Sequence, residues 1–130
     1  MIPVAGYSMP LHYQTSQLSS DDDLEKQQTS EMNREHLWCR ENAGIFDVSH
    51  MGQVRVRGPE AMMFLESITV ADLRPIKVGQ CSHTLIMNEM GGIKDEVIIT
   101  RECENSYFIV LNPICKDKVV EFMRHQIDMM

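Results

Sequence analysis

Apolar and basic positions alternate in QVRVR, Gln53 to Arg57, which predicts a strand buried on one face. Gly58 and Pro59 end that strand and open a helix, because proline suits a first helical position. Ala61, Phe64, Leu65 and Ile68 then fall on one helical face. After the loop VADLRPIKVG the pattern returns to strands: CSHTLIM, IKDEVIIT and YFIVL. NEMGG joins the first pair at a length and with glycines suited to a hairpin, and RECENS makes the next turn, centred near Cys103 and Glu104. Asn112 and Pro113 read as an N-cap and first helical position for a helix through Val119, Phe122 and Met123. Upstream, helical spacing over Arg34 to Ala43 puts Leu37, Trp38 and Glu41 on a stripe, with Gly44 as C-cap. Before it lies a polar stretch with three successive aspartates. An acidic insertion over residues 15–33 is expected there, as a solvated or disordered loop or a frayed helix start.

Three consecutive strands in a meander, with helices before and after, predict an α+β fold: an antiparallel sheet with flanking helices. The 130 residues amount to one domain, and a formal net charge of −7 argues against an electrostatic grip on nucleic acid or an anionic membrane. No apolar run reaches membrane-spanning length. The opening MIPVAGYSMP lacks the basic and apolar regions of a secretory signal and the arginines of a transit peptide, so no targeting segment is expected in it. Cys39, Cys81, Cys103 and Cys115 match neither a paired zinc motif nor a compact disulfide framework, and read as reduced thiols.

The candidate chemistry lies in IKDEVIIT. Neighbouring side chains on a strand point to opposite faces, so Glu96 shares a face with Lys94, Ile98 and Thr100, and Asp95 shares the other with Ile93, Val97 and Ile99. Hairpin pairing with YFIVLN brings Glu96 opposite Leu111 and Asn112. A carboxylate and an amide on an apolar sheet face can orient a heterocycle bearing donor nitrogens, and a desolvated carboxylate is placed for proton chemistry or for stabilising positive charge. On pattern alone, acids near a hairpin turn are more often solvated, and an asparagine before proline is more often a cap. His50 stands near Asp47 and Ser49 in DVSHM, but residues so close in sequence seldom form a triad, and a turn histidine is the plainer reading. Met51, like most of the eleven methionines, is by default core filler.

The stretch REHLWCRENAGIFDVSHMGQVRVRG resembles the N-terminal part of the glycine cleavage system T protein, the aminomethyltransferase family. AGYSMPLHY resembles the family's opening strand, NEMGGIKDEVII its glycine-turn motif and YFIVLNP the following strand. The resemblance runs from Ile2 to about Phe122, apart from the acidic stretch. It implies a portion of the family's three-domain fold and transfer of the methylene of a lipoyl-bound aminomethyl group to tetrahydrofolate, with release of ammonia. The implied partner is the lipoylated H protein, no metal is required, and the location is mitochondrial in a eukaryote, otherwise cytoplasmic. Met51 stands at the motif methionine that lines the folate cavity in the family, and Asn112 at its pterin contact. His83 occupies a folate-facing position where relatives carry an aromatic or apolar residue. Glu96 stands at the second of two adjacent aspartates, the catalytic one. The resemblance also implies that later parts of the family's longer chains contribute further folate contacts. A non-catalytic relative, acting as a folate-binding or structural and interaction module, is the alternative. A folate-using demethylase relative fits FDVSHMGQ less well, and no dinucleotide fingerprint is present. Arg55 and Arg57 are candidates for a local basic patch toward an acidic carrier.

Overall fold

The computed structural model describes residues 1–13 and 24–130, which form two compact units, Met1–His50 and Met51–Met130. In the first unit, β1 (Ile2–Val4) pairs antiparallel with β2 (Tyr7–Met9). The connecting Ala5 and Gly6 both have positive φ, 48° and 84°, the backbone signature of a two-residue hairpin turn. The stretch expected as the opening strand, AGYSMPLHY, holds β2, and the preceding β1 makes a hairpin with it. Helix α1 (Leu24–Glu41) begins ten residues before the expected Arg34, so the second half of the stretch expected as an insertion is helical. Residues 14–23 lie outside the described set. Gly44 is not a left-handed cap. A Cβ there would lie 2.7 Å from the Cys39 Sγ and 3.1 Å from the Phe46 ring, so close approach is what requires glycine.

The second unit runs β3 (Gly52–Arg57), α2 (Ala61–Ile68), β4 (Cys81–Met87), β5 (Ile93–Cys103), β6 (Ser106–Leu111), α3 (Lys116–Asp128). Its four strands form one antiparallel sheet in the order β3-β6-β5-β4. The predicted α+β class holds. Alternation decides the faces: Val97, Ile99, Tyr107, Ile109, Leu111, Thr84 and Ile86 are buried, and join the Ala61, Phe64, Leu65 and Ile68 face of α2 with Val119 and Met123 of α3. Leu73 and Ile76 of the long loop close the same core. The opposite sheet face carries Arg55, Phe108, Val110, Glu96, Ile98 and His83 and is not covered within this unit; Ile98 is 42% exposed.

Both hairpins are tight. In the β4–β5 turn the Asn88 side chain accepts hydrogen bonds from the Met90 and Gly92 amides, and Gly91 takes a positive φ of 80°. The β5–β6 turn closes where Cys103 pairs with Ser106, one residue beyond the expected centre. Helix α3 starts at Lys116 rather than at the expected Asn112–Pro113. The Asn112 carbonyl accepts from the Cys115 amide in a turn that precedes the helix.

Candidate functional site

Strand β5 delivers two carboxylates to opposite sides of the sheet. Asp95 points into the core side and is 4% exposed. Its Oδ1 accepts the Glu96 amide at 2.9 Å and the Asn112 Nδ2 at 2.9 Å, and its Oδ2 accepts the Asn112 amide at 3.0 Å. A buried carboxylate is tolerated only when so satisfied. Asp95 thus fastens the middle of β5 to the end of β6.

Glu96 points the other way, with a side chain 57% exposed and Oε1 3.0 Å from the His83 Nε2. The division of faces expected from alternation is therefore found for Asp95, Val97 and Ile99 against Glu96 and Ile98. Lys94 departs from it. Ile86 pairs with Asp95 but Met87 with Ile93, so Lys94 is the extra residue of a β-bulge. Its ammonium lies 4.3 Å from the Phe122 ring centre of α3, on the helix-bearing side and away from Glu96.

Asn112 sits beside Glu96 as the register requires, since Ile98 pairs with Val110 two residues earlier along the ladder. The contact differs from the expected convergence of amide and carboxylate. Asn112 Nδ2 donates to the Glu96 main-chain carbonyl at 3.0 Å and to the Asp95 carboxylate, not to the Glu96 side chain. Both amide hydrogens are committed, which fixes the orientation of the group and leaves Oδ1 as its available acceptor. The expected N-cap role is displaced by this brace.

Met51 precedes β3 and stands at the register position opposite Asn112, because Gly52 pairs with Leu111. It lines a cleft of about 570 Å³ between β3 and α3, with Lys116, Val120 and Arg124. The structure brings Glu96 and His83 together on the uncovered face, sets Asn112 beside Glu96 with its amide turned to the core-side Asp95, and places Met51 across from Asn112 at the edge of this group. Arg55, on the same face, is engaged: Nε lies 3.0 Å from both Glu102 oxygens, and the guanidinium stacks 4.9 Å from the Phe108 ring centre. The Glu102 carboxyl lies below its ordinary range because hydrogen bonds from Arg55 and Ser106 outweigh desolvation, the largest single influence. Arg57 remains an exposed cation nearby. In DVSHM, the Asp47 Oδ1 accepts the Ser49 amide at 2.9 Å, which is a turn and not a triad; hydrogen bonding from Ser49 holds the Asp47 carboxyl below its ordinary value. Among the described residues no group of three or more His, Cys, Asp or Glu could hold a metal ion.

Asp95 is the residue whose part sequence reasoning missed. Its signal was present: an acid on the core-facing parity of a β-branched strand must find donors, and Asn112 at the end of the neighbouring strand supplies two.

Comparison with known proteins follows the same segments. Residues 1–129 match the GCVT N-terminal domain. A probable mitochondrial aminomethyltransferase of Schizosaccharomyces pombe is 40% identical over 118 residues, covering 91% of this chain and 27% of the relative. The mitochondrial aminomethyltransferase of Saccharomyces cerevisiae is 38% identical over 128 residues, 98% of this chain and 28% of the relative. The crystal structure of glycine cleavage system aminomethyltransferase T from Bartonella henselae superposes with a TM-score of 0.67 at 34% identity, over 72% of this chain and 26% of that one. The chain spans about a quarter of the length of the curated relatives it matches. With the motif order, the sheet topology and the matched domain in agreement, the chain belongs to the glycine cleavage T-protein (aminomethyltransferase) family, in its N-terminal domain.

Proposed function

We propose that this chain serves in an aminomethyltransferase of the glycine cleavage system, which moves the methylene of a lipoyl-bound aminomethyl group to tetrahydrofolate and releases ammonia. The observation that carries the reading is the split of the carboxylate pair: Asp95 is consumed as a buried brace, while Glu96 stands on the uncovered face beside the immobilised Asn112 amide.

The donor set fits a reduced pterin. Asn112 Oδ1 and the Glu96 carboxylate are acceptors for ring and amino N–H groups, and Ile98 and Val110 beside them offer apolar surface to a flat ring. Tetrahydrofolate, when bound, supplies the nucleophilic nitrogens that receive the methylene. In this reading Glu96 is the catalytic carboxylate, its charge placed to stabilise positive charge developing at the reacting centre. Met51 and Asn112 contribute to holding the folate, and His83, whose contact is with Glu96, acts on the site through that carboxylate. The lipoylated H protein is the partner that brings the aminomethyl group, and the mitochondrion is the location, as the names of the relatives suggest.

The non-catalytic alternative, a folate-binding or interaction module, draws on one observation: the Glu96 carboxylate already has a partner in His83. Calorimetry with tetrahydrofolate on the full-length protein tests the site itself. Asn112→Ala is expected to weaken binding about tenfold, roughly 1.4 kcal/mol, in protein that remains folded by circular dichroism. Equal affinities would remove Asn112, and with it this face, from the folate site.

A further inference from the structure

We propose that His83 is a positioning residue for Glu96, fixing a carboxylate that is one methylene longer than an aspartate; the inference rests on the catalytic reading of Glu96 given above. Leu85 is the direct cross-strand partner of Glu96, and His83 pairs with Ile98, so His83 is the diagonal neighbour. Diagonal positions lie roughly 7–8 Å apart and are bridged only by long side chains. Here both side chains are long enough, and Nε2 meets Oε1 at 3.0 Å. An aspartate at 96 ends one C–C bond earlier, about 1.5 Å, and falls short of the same contact.

The contact has a definite consequence. A glutamate has one more rotatable bond than an aspartate and, unanchored on an open face, spreads over several rotamers. With Oε1 held by the imidazole, Oε2 is left in a defined place. The contact is an ion pair when the imidazole is protonated on both nitrogens. No other described cation competes for this carboxylate from the neighbouring elements: β6 offers Asn112, whose amide is committed, and Lys94 is diverted to Phe122.

The test uses the full-length protein with lipoylated H protein and tetrahydrofolate. His83→Ala is expected to lower kcat for ammonia release about tenfold, because a loosened positioning residue costs rate, and to leave the calorimetric affinity for tetrahydrofolate within about twofold. His83→Lys, which keeps a cation at this position, restores most of the rate. In a Glu96→Asp background the same His83→Ala change adds less than about twofold, since the contact is already lost. The proposal is overturned if His83→Ala has wild-type kcat, if its loss is the same in both backgrounds, or if affinity falls tenfold while kcat is intact, which would make His83 a binding residue. Glu96→Gln separates the two levels. If that variant turns over normally, the catalytic reading itself fails; if it is inactive while His83→Ala is active, only the positioning role fails.

Discussion

At the scale of single residues, Asp95 and Glu96 show how one peptide step separates structure from chemistry. Asp95 shares its face with Val97 and Ile99 and is satisfied there because three N–H groups converge on its carboxyl. Its removal would leave the Asn112 main-chain amide and one of its two Nδ2 hydrogens without an acceptor. Asp95→Ala is therefore expected to destabilise the unit by about 2–4 kcal/mol, read as a lowered midpoint in urea with an unchanged slope. A midpoint equal to wild type would show that water replaces the carboxylate at no cost. That the two acids take opposite faces was legible from alternation, and that Glu96 is the one toward the candidate site came from the family resemblance. That Asp95 would claim Asn112 was not, because a single sequence gives the opposing registers but not which polar group on a strand end wins a given donor.

At the scale of elements, the strands and α2 were legible because their buried positions recur at the right period: Ala61, Phe64, Leu65 and Ile68, and the alternation Asp95, Val97, Ile99. Three boundaries were not. The β1–β2 turn uses Ala5 at positive φ, a conformation that alanine does not advertise. The start of α1 lies in polar sequence with no apolar stripe to mark it. Asn112–Pro113 carries a helix-start signature that the competing bonds to Asp95 override. Gly52 illustrates a constraint visible only in packing, where β3 meets α3: a Cβ there would lie 2.7 Å from the Lys116 Cβ and 3.0 Å from the Leu111 Cβ. Neither neighbour is the yielding end of a flexible side chain. Gly52→Ala should cost about 1–3 kcal/mol in thermal or denaturant unfolding, and unchanged stability would mean that α3 shifts freely against the sheet.

At the scale of the whole molecule, the sheet of the second unit has one face closed by α2, α3 and the long loop and the other uncovered within that unit, where Glu96 and His83 lie with Asn112 beside them. Net charge is −7, and of the two arginines set on that face one is tied to Glu102 and Phe108, which leaves Arg57 as the freer cation for an acidic carrier. The class of fold followed from the segregation of strands and helices. The open site did not, because exposure of an apolar sheet face depends on what packs against it and not on its own pattern. The central claim is that Glu96, and not its buried neighbour, is the carboxylate that acts. Its most direct test is ammonia release by full-length Glu96→Gln, assayed with lipoylated H protein and tetrahydrofolate beside its unfolding midpoint. The expected result is a fall in turnover of about a hundredfold or more at an unchanged midpoint, since the removed charge is exposed and not part of the core. Wild-type turnover by folded Glu96→Gln protein would contradict the account.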